Sequence, residues 1–133
     1  MTLGVQDYLA NQVATRADVL AITDSTGVAL TYRGLDVASD EVIALLKNAG
    51  VQSADRVLLL SENCAAAVAV LFACWKMGVR AVPVNARQTE TEVARVMQHA
   101  KPAAMFMTTS VSGDAQKHAN RYDAVEVSGS FGT

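Results

Sequence analysis

Histidine and cysteine, the side chains that most often carry chemistry, are few and widely spaced in this sequence. His99 and His118 have no cysteine or suitably spaced carboxylate beside them, so we interpret both as surface histidines rather than metal ligands. Cys64 and Cys74 fall on one predicted helix, where ten residues of rise separate them by about 15 Å. A disulfide needs Cα atoms within about 7 Å. We therefore predict two free, buried, structural thiols.

Loops that bind phosphate or activate a serine are also missing from the sequence. No Walker-type loop is present, and no G-x-G-x-x-G follows a predicted strand. The strand-to-helix turn after Leu60 reads Ser61-Glu62-Asn63, without a glycine that would let a phosphate approach the backbone. No serine lies in a G-x-S-x-G setting, so a hydrolase elbow is not indicated.

Residues 1–50 are predicted to contain a helix, a hairpin and a second helix. Apolar residues at helical spacing indicate a helix over residues 5–14. Two short apolar runs, 19–24 and 28–32, predict strands joined by a turn at Gly27. The next amphipathic segment, residues 35–49, is the clearest helix and should end at a left-handed Gly50.

From residue 51 to residue 109 short apolar runs alternate with helical segments. Strands are predicted at 57–60, 81–84 and 103–107, with Pro83 indicating a sheet edge or a bulge. Ser61 or Asn63 should cap the first helix, which Gly78 ends. Thr89 and Glu92 have capping-box spacing for the second helix.

The strand and helix order predicts an α/β fold: an N-terminal β-hairpin is followed by βαβ units that form a mostly parallel sheet flanked by helices. Residues 110–133 give weaker signals, and we expect a weakly structured tail or linker there. It would contain a short helix before residue 121 and a last strand at 123–127. The chain is therefore a single partial domain.

Composition excludes several classes of protein. With 51% hydrophobic and 18% charged residues and a net charge of -2, the chain can bury a core, but it has no basic stripe for nucleic acid. The first residues do not read as a secretory signal. The longest apolar run, 64–75, is too short to span a bilayer. We expect a cytoplasmic protein without a transmembrane segment.

Three blocks of the sequence, taken in order, carry a more specific signal. They are Leu30-Thr31-Tyr32-Arg33-Gly34-Leu35, Ser53-Ala54-Asp55-Arg56-Val57 and Trp75-Lys76-Met77-Gly78-Val79-Arg80-Ala81-Val82-Pro83-Val84-Asn85. Together they resemble the L-T-Y-x-E-L, G-D-R-V and K-x-G-a-x-x-V-P-l-N blocks near the start of adenylate-forming (AMP-binding) acyl-CoA synthetases, the acid–thiol ligases. The similarity runs from about residue 5 to about residue 109. Gly34 replaces the family's glutamate, which removes half of a capping box.

The resemblance implies the N-terminal portion of an enzyme that uses ATP, Mg²⁺ and CoA. A carboxylic acid would react with ATP to give an acyl-adenylate, and the thiol of CoA would then displace AMP. The family's phosphate loop, its ribose-binding aspartate and its C-terminal lysine have no counterpart in this chain. We therefore expect the chain to be inactive by itself, with no catalytic residue and no bound cofactor.

The resemblance also implies one binding site. In thioester-forming relatives the backbone after the V-P-x-N block borders the CoA entrance, which corresponds here to Val84, Asn85, Ala86 and Arg87, with Arg87 placed to contact a phosphate. The segment 128–133 superficially echoes the family's phosphate loop. However, Phe131 replaces a hydroxyl residue and no lysine follows, so we interpret it as a linker.

Two other functions remain open at this point. The chain could be a stand-alone scaffolding or dimerisation module, or a small-ligand domain of the Rossmann-like class unrelated to ligases. A sheet without an N-terminal hairpin would favour the second of these. Self-association is also expected, because a partial sheet exposes apolar surface and an unpaired edge.

Overall fold

The computed structural model describes residues 3–133, which form five helices and five strands in two sheets. In chain order the elements are α1 (Val5–Arg16), β1 (Leu20–Thr23), β2 (Ala29–Thr31), α2 (Tyr32–Asn48), β3 (Arg56–Ser61), α3 (Ala65–Met77), β4 (Arg80–Asn85), α4 (Glu90–Ala100), β5 (Ala104–Met107) and α5 (Gly113–Arg121). None of the helices in this range combines the length and the apolar character needed to cross a membrane.

The N-terminal hairpin is confirmed. Strands β1 and β2 pair antiparallel, with Ile22 opposite Leu30. Gly27 adopts a φ of +90° in the connecting turn, a conformation that costs glycine little. Asp24 closes this turn, since its Oδ1 accepts hydrogen bonds from the backbone N–H groups of Thr26 and Val28.

The second sheet is parallel, with the strand order β4-β3-β5. The chain therefore steps from β3 to β4 and then back across β3 to β5. Because such crossovers are right-handed, α3 and α4 lie on opposite faces of the sheet. Pro83 lies in an edge strand of this sheet, as the sequence predicts, and its missing N–H costs no ladder hydrogen bond on the outer side.

The central strand β3 is buried on both faces. Val57 and Leu59 belong to the larger core, which α1, α2 and α3 complete. Leu58 and Leu60 face the other way and pack with Val93 of α4. This double burial explains why β3 has a continuous apolar run instead of alternating polar and apolar residues.

Several helix ends are capped by residues next to them in the sequence, but the start of α3 is not. Thr31 accepts a hydrogen bond from Gly34 N, Thr89 and Glu92 form a capping box, and Gly78 ends α3 in the left-handed region. The prediction that Ser61 or Asn63 caps α3 is wrong. Its N-cap residue is Cys64, which makes no side-chain cap.

Asp24 caps α3 from the hairpin instead. Its Oδ2 accepts a hydrogen bond of 2.8 Å from Ala65 N. The hydroxyl of Thr26, together with the N–H of Ala65 and those of the turn, holds the pKa of Asp24 below its ordinary value of 3.8. One carboxylate thus closes the hairpin turn and satisfies the N-terminus of the helix that follows β3.

Replacing Asp24 with alanine should lower the free energy of unfolding at pH 7 by about 1 kcal/mol, the usual cost of losing a cap. Because the pKa is lower in the folded state, the carboxylate stabilises the fold above the unfolded-state value near 4. That contribution is lost as the pH falls through the folded-state pKa. Urea unfolding at pH 7 and pH 3 checks this. The deficit should shrink at pH 3, and Asp18→Ala, at an exposed carboxylate, should show little deficit at either pH.

The last part of the chain lacks the strand that the sequence predicts. Residues 123–127 form no strand, so the predicted last strand is wrong. Val125 is 85% exposed, which shows that the apolar character of this segment is not used to fill a core. The short helix expected before residue 121 is present as α5, capped by Ser112, whose Oγ accepts a hydrogen bond from Ala115 N.

Candidate functional site

The carboxyl ends of β3, β4 and β5 meet at one edge of the parallel sheet, where ligands of open α/β sheets usually bind. Ser61 ends β3 opposite Asn85, which ends β4. Thr108 follows β5, and its Oγ1 accepts a hydrogen bond of 3.1 Å from Glu62 N. Backbone hydrogen bonds of 3.2 Å join Ala86 N to Ser61 O and Thr108 N to Leu60 O. The turns that leave the three strands are therefore tied to one another.

The four residues that the sequence singles out for CoA lie at this edge, but their side chains differ in whether they can contact a ligand. Val84 packs in the core beside β3, and Ala86 is buried completely. Asn85 folds its side chain back, so that its Oδ1 accepts a hydrogen bond of 2.9 Å from Arg87 N. Arg87 extends its side chain into solvent. A ligand at this turn would thus meet one guanidinium and backbone groups.

Arg87 is paired with Glu62 from the end of β3. Its Nε lies 2.7 Å from Glu62 Oε1, and the side chain of Arg87 is 74% exposed. An ion pair this exposed contributes little to stability. Within the described part of the chain only Nε takes part in the contact, which leaves the terminal N–H groups directed to solvent. A guanidinium in this state can form paired hydrogen bonds with a phosphate.

The prediction that both histidines lie on the surface is wrong for His118. His99 is exposed, but His118 is buried. Its Nε2 lies 3.1 Å from Ala86 O and 3.0 Å from Gln88 O. Sequence reasoning missed this contact because the partners lie on another element. A signal was present in the spacing of Ala115, His118 and Ala119, which places the histidine on the buried face of α5.

The segment 128–133 does not extend into solvent as a linker would. Gly129 and Gly132 exchange backbone hydrogen bonds of 2.9 and 3.0 Å, and Phe131 packs in the larger core. The carboxylate of Glu41 on α2 accepts hydrogen bonds of 2.8 Å from both Ser130 N and Ser130 Oγ. A negative group already occupies the donors that a phosphate would need, so this turn is a poor phosphate site.

Both cysteines are free and buried, as the sequence predicts. Burial raises the pKa of the Cys64 thiol, and burial raises the pKa of Cys74 to about 11. Neither thiol is poised to act as a nucleophile at neutral pH, since the thiolate is the reactive form. Among residues 3–133, no three histidine, cysteine, aspartate or glutamate side chains are grouped so that they could hold a metal ion.

Comparison with known proteins gives a consistent result. The family model described as "AMP-binding enzyme" matches residues 9–130. A fatty acid–[acyl-carrier-protein] ligase, ScoC of Streptomyces coeruleorubidus, is 36% identical over 81 residues, which cover 61% of this chain and 16% of that protein. A 2,3-dihydroxybenzoate–AMP ligase of Bacillus subtilis is 28% identical over 107 residues, which cover 80% of this chain and 20% of that protein.

A solved structure shows the same fold. The inhibitor-bound N-terminal domain of FACL13 from Mycobacterium tuberculosis superposes with a TM-score of 0.74 at 23% identity, over 78% of this chain and 26% of that one. The chain spans about a fifth or less of the length of the two curated ligases named above. The N-terminal β-hairpin and the family match over residues 9–130 both disfavour an unrelated small-ligand domain of the Rossmann-like class.

Proposed function

The chain belongs to the AMP-binding enzyme family, and from this premise we propose that it forms the N-terminal part of an ATP-dependent acid–thiol ligase. In the proposed reaction, a carboxylate displaces pyrophosphate from ATP to form an acyl-adenylate. The thiol of CoA then attacks the acyl carbon and releases AMP. The contribution of this chain would be a structural layer of the enzyme together with one wall of the thiol entrance.

The observation that carries this proposal is the turn after β4. The turn lies at the carboxyl edge of the sheet, its backbone is tied to β3 through Ala86 N and Ser61 O, and it presents the exposed guanidinium of Arg87. CoA carries phosphates and a long polar arm, which match a cationic side chain and backbone donors and acceptors. The residues present therefore fit the role of a CoA contact.

The groups that activate ATP would lie outside this chain. ATP with Mg²⁺ supplies the leaving group and neutralises its charge when bound. In residues 128–133 the serine donors are already engaged by Glu41, which opposes binding of the triphosphate there. We accordingly expect the chain alone to release no pyrophosphate from ATP and Mg²⁺ with any of a panel of carboxylic acids.

The CoA contact can be tested on the proposed ligase that contains this chain. Replacing Arg87 with alanine should weaken CoA binding about tenfold, because a charge-assisted contact to phosphate is lost. The affinity for pantetheine, which has the thiol arm but no phosphate, should not change. Isothermal titration calorimetry with both ligands measures this, and Arg95→Ala, at an exposed arginine of α4, provides the matched control.

The binding and pyrophosphate measurements can each contradict a part of the proposed function. Equal CoA affinity for wild type and Arg87→Ala would remove the proposed contact. Pyrophosphate release by the chain alone would show that the activating groups are present in it after all. The name of ScoC indicates a carrier-protein thiol for that relative; binding of pantetheine without any gain from the phosphates of CoA would point to such an acceptor here.

A further inference from the structure

His118 connects α5 to the turn after β4, and we infer that it is a positioning residue for that turn. It holds residues 86–88 in the geometry that presents Arg87 to a phosphate. This inference rests on the proposed function for the identity of the ligand. The contacts of the imidazole carry the structural part independently.

The hydrogen-bond partners of His118 assign its tautomer. The carbonyl oxygens of Ala86 and Gln88 lie 3.1 and 3.0 Å from Nε2, and carbonyls only accept hydrogen bonds. Nε2 therefore carries the proton. On the other side of the ring, an amino group of Arg121 lies 2.7 Å from Nδ1. Since a guanidinium only donates, Nδ1 is assigned as the acceptor of this hydrogen bond.

Arg121, the last residue of α5, also contacts helix α4. Its Nε lies 3.3 Å from Glu90 Oε2 at the start of α4. The imidazole and the guanidinium thus attach α5 to Ala86 and Gln88 of the turn and to Glu90, the first residue of α4. None of these contacts uses Arg87, whose side chain stays exposed between them.

The backbone donors of the turn have partners of their own. Ala86 N donates to Ser61 O at 3.2 Å, and Gln88 N donates to Asn85 O at 3.1 Å. Together with the contacts of His118 Nε2, the backbone N–H and C=O groups of both Ala86 and Gln88 have partners. A turn fixed in this way loses less conformational freedom when a ligand binds, which improves affinity without any contact to the ligand.

Two substitutions separate the positioning role from simple packing. In His118→Gln, the side-chain amide nitrogen can occupy nearly the place of Nε2 and donate to both carbonyls. In His118→Asn, the amide nitrogen falls near the place of Nδ1 and cannot reach them. We expect His118→Gln to keep the CoA affinity within about twofold of wild type, and His118→Asn to lower it about tenfold.

Two readouts do not depend on CoA. Hydrogen exchange of the Arg87 and Gln88 amides, followed by NMR, should accelerate about tenfold in His118→Asn and little in His118→Gln. In the wild-type chain, two-bond proton–nitrogen spectra of the imidazole should show the proton on Nε2. This second measurement remains decisive if either variant fails to fold.

The outcomes can be told apart. A proton on Nδ1 of wild-type His118, or amide exchange in His118→Asn equal to that of wild type, would overturn the positioning role. Accelerated exchange with the expected imidazole spectrum, but no CoA binding by wild type, would support the positioning of the turn and reject CoA as its ligand. Reduced CoA affinity in His118→Asn, restored in His118→Gln, would support both.

Discussion

Leu59→Ala is expected to lower the free energy of unfolding by about 3 kcal/mol and the midpoint of thermal unfolding by about 10 °C. Leu59 lies in the central strand β3, is 1% exposed, and packs in the larger core with α2 and α3. Removing its isobutyl group leaves a cavity between a sheet and helices that are fixed by other contacts, so the surroundings cannot collapse fully. Chemical denaturation of both proteins measures the difference.

The matched control is Leu20→Ala in the hairpin. Leu20 has the same side chain but is 58% exposed, and we expect a change of less than about 0.5 kcal/mol. A loss for Leu59→Ala no greater than that of the control would contradict the packing of β3. It would mean that the sheet is not the centre of the fold.

Lys76→Met is expected to cost about 2 kcal/mol, because a partly buried ammonium group loses three side-chain partners at once. Its Nζ lies 2.6 Å from Asp36 Oδ1, 2.7 Å from Ser39 Oγ and 3.0 Å from Asp40 Oδ1. The side chain of Lys76 is only 20% exposed. The substitution keeps the apolar stem, so the expected loss reports the polar contacts between α3 and α2.

Lys117→Met serves as the control, since that lysine is 75% exposed and lies 3.6 Å from Asp114. We expect a change near zero there. The cost of Lys76→Met should also fall when Asp36 is replaced with asparagine, because the partner carboxylate is then no longer left without its cation. Equal costs for Lys76→Met in the two backgrounds would show that the ion pair is not the source of the stability.

The local parts of this fold could be predicted from the sequence, because their causes lie within a few residues. The left-handed glycines at 50 and 78 and the capping box of Thr89 and Glu92 act on the helices beside them. The hairpin and the three parallel strands follow from apolar runs bounded by turn residues. The three sequence blocks that resemble adenylate-forming enzymes predict the family that the comparisons then show.

The contacts that hold these elements together could not be predicted in the same way. Asp24 caps a helix that begins at Ala65, and Lys76 binds carboxylates of α2. His118 fastens a turn far back in the chain. In each case the partner is brought near only by the tertiary fold, so no spacing in the sequence reveals it. The residues nominated for CoA were identified by resemblance, and their role in binding remains a proposal.

The two edge strands of the parallel sheet, β4 and β5, differ in how well they could pair with an added strand. On the β4 side, Pro83 withholds a donor from any strand that might be added. On the β5 side, residues 104–107 are all neutral, and within residues 3–133 no further strand lies next to them. A strand added along β5 would meet an uninterrupted row of backbone donors and acceptors, whereas one added along β4 would meet Pro83, which has no N–H to donate.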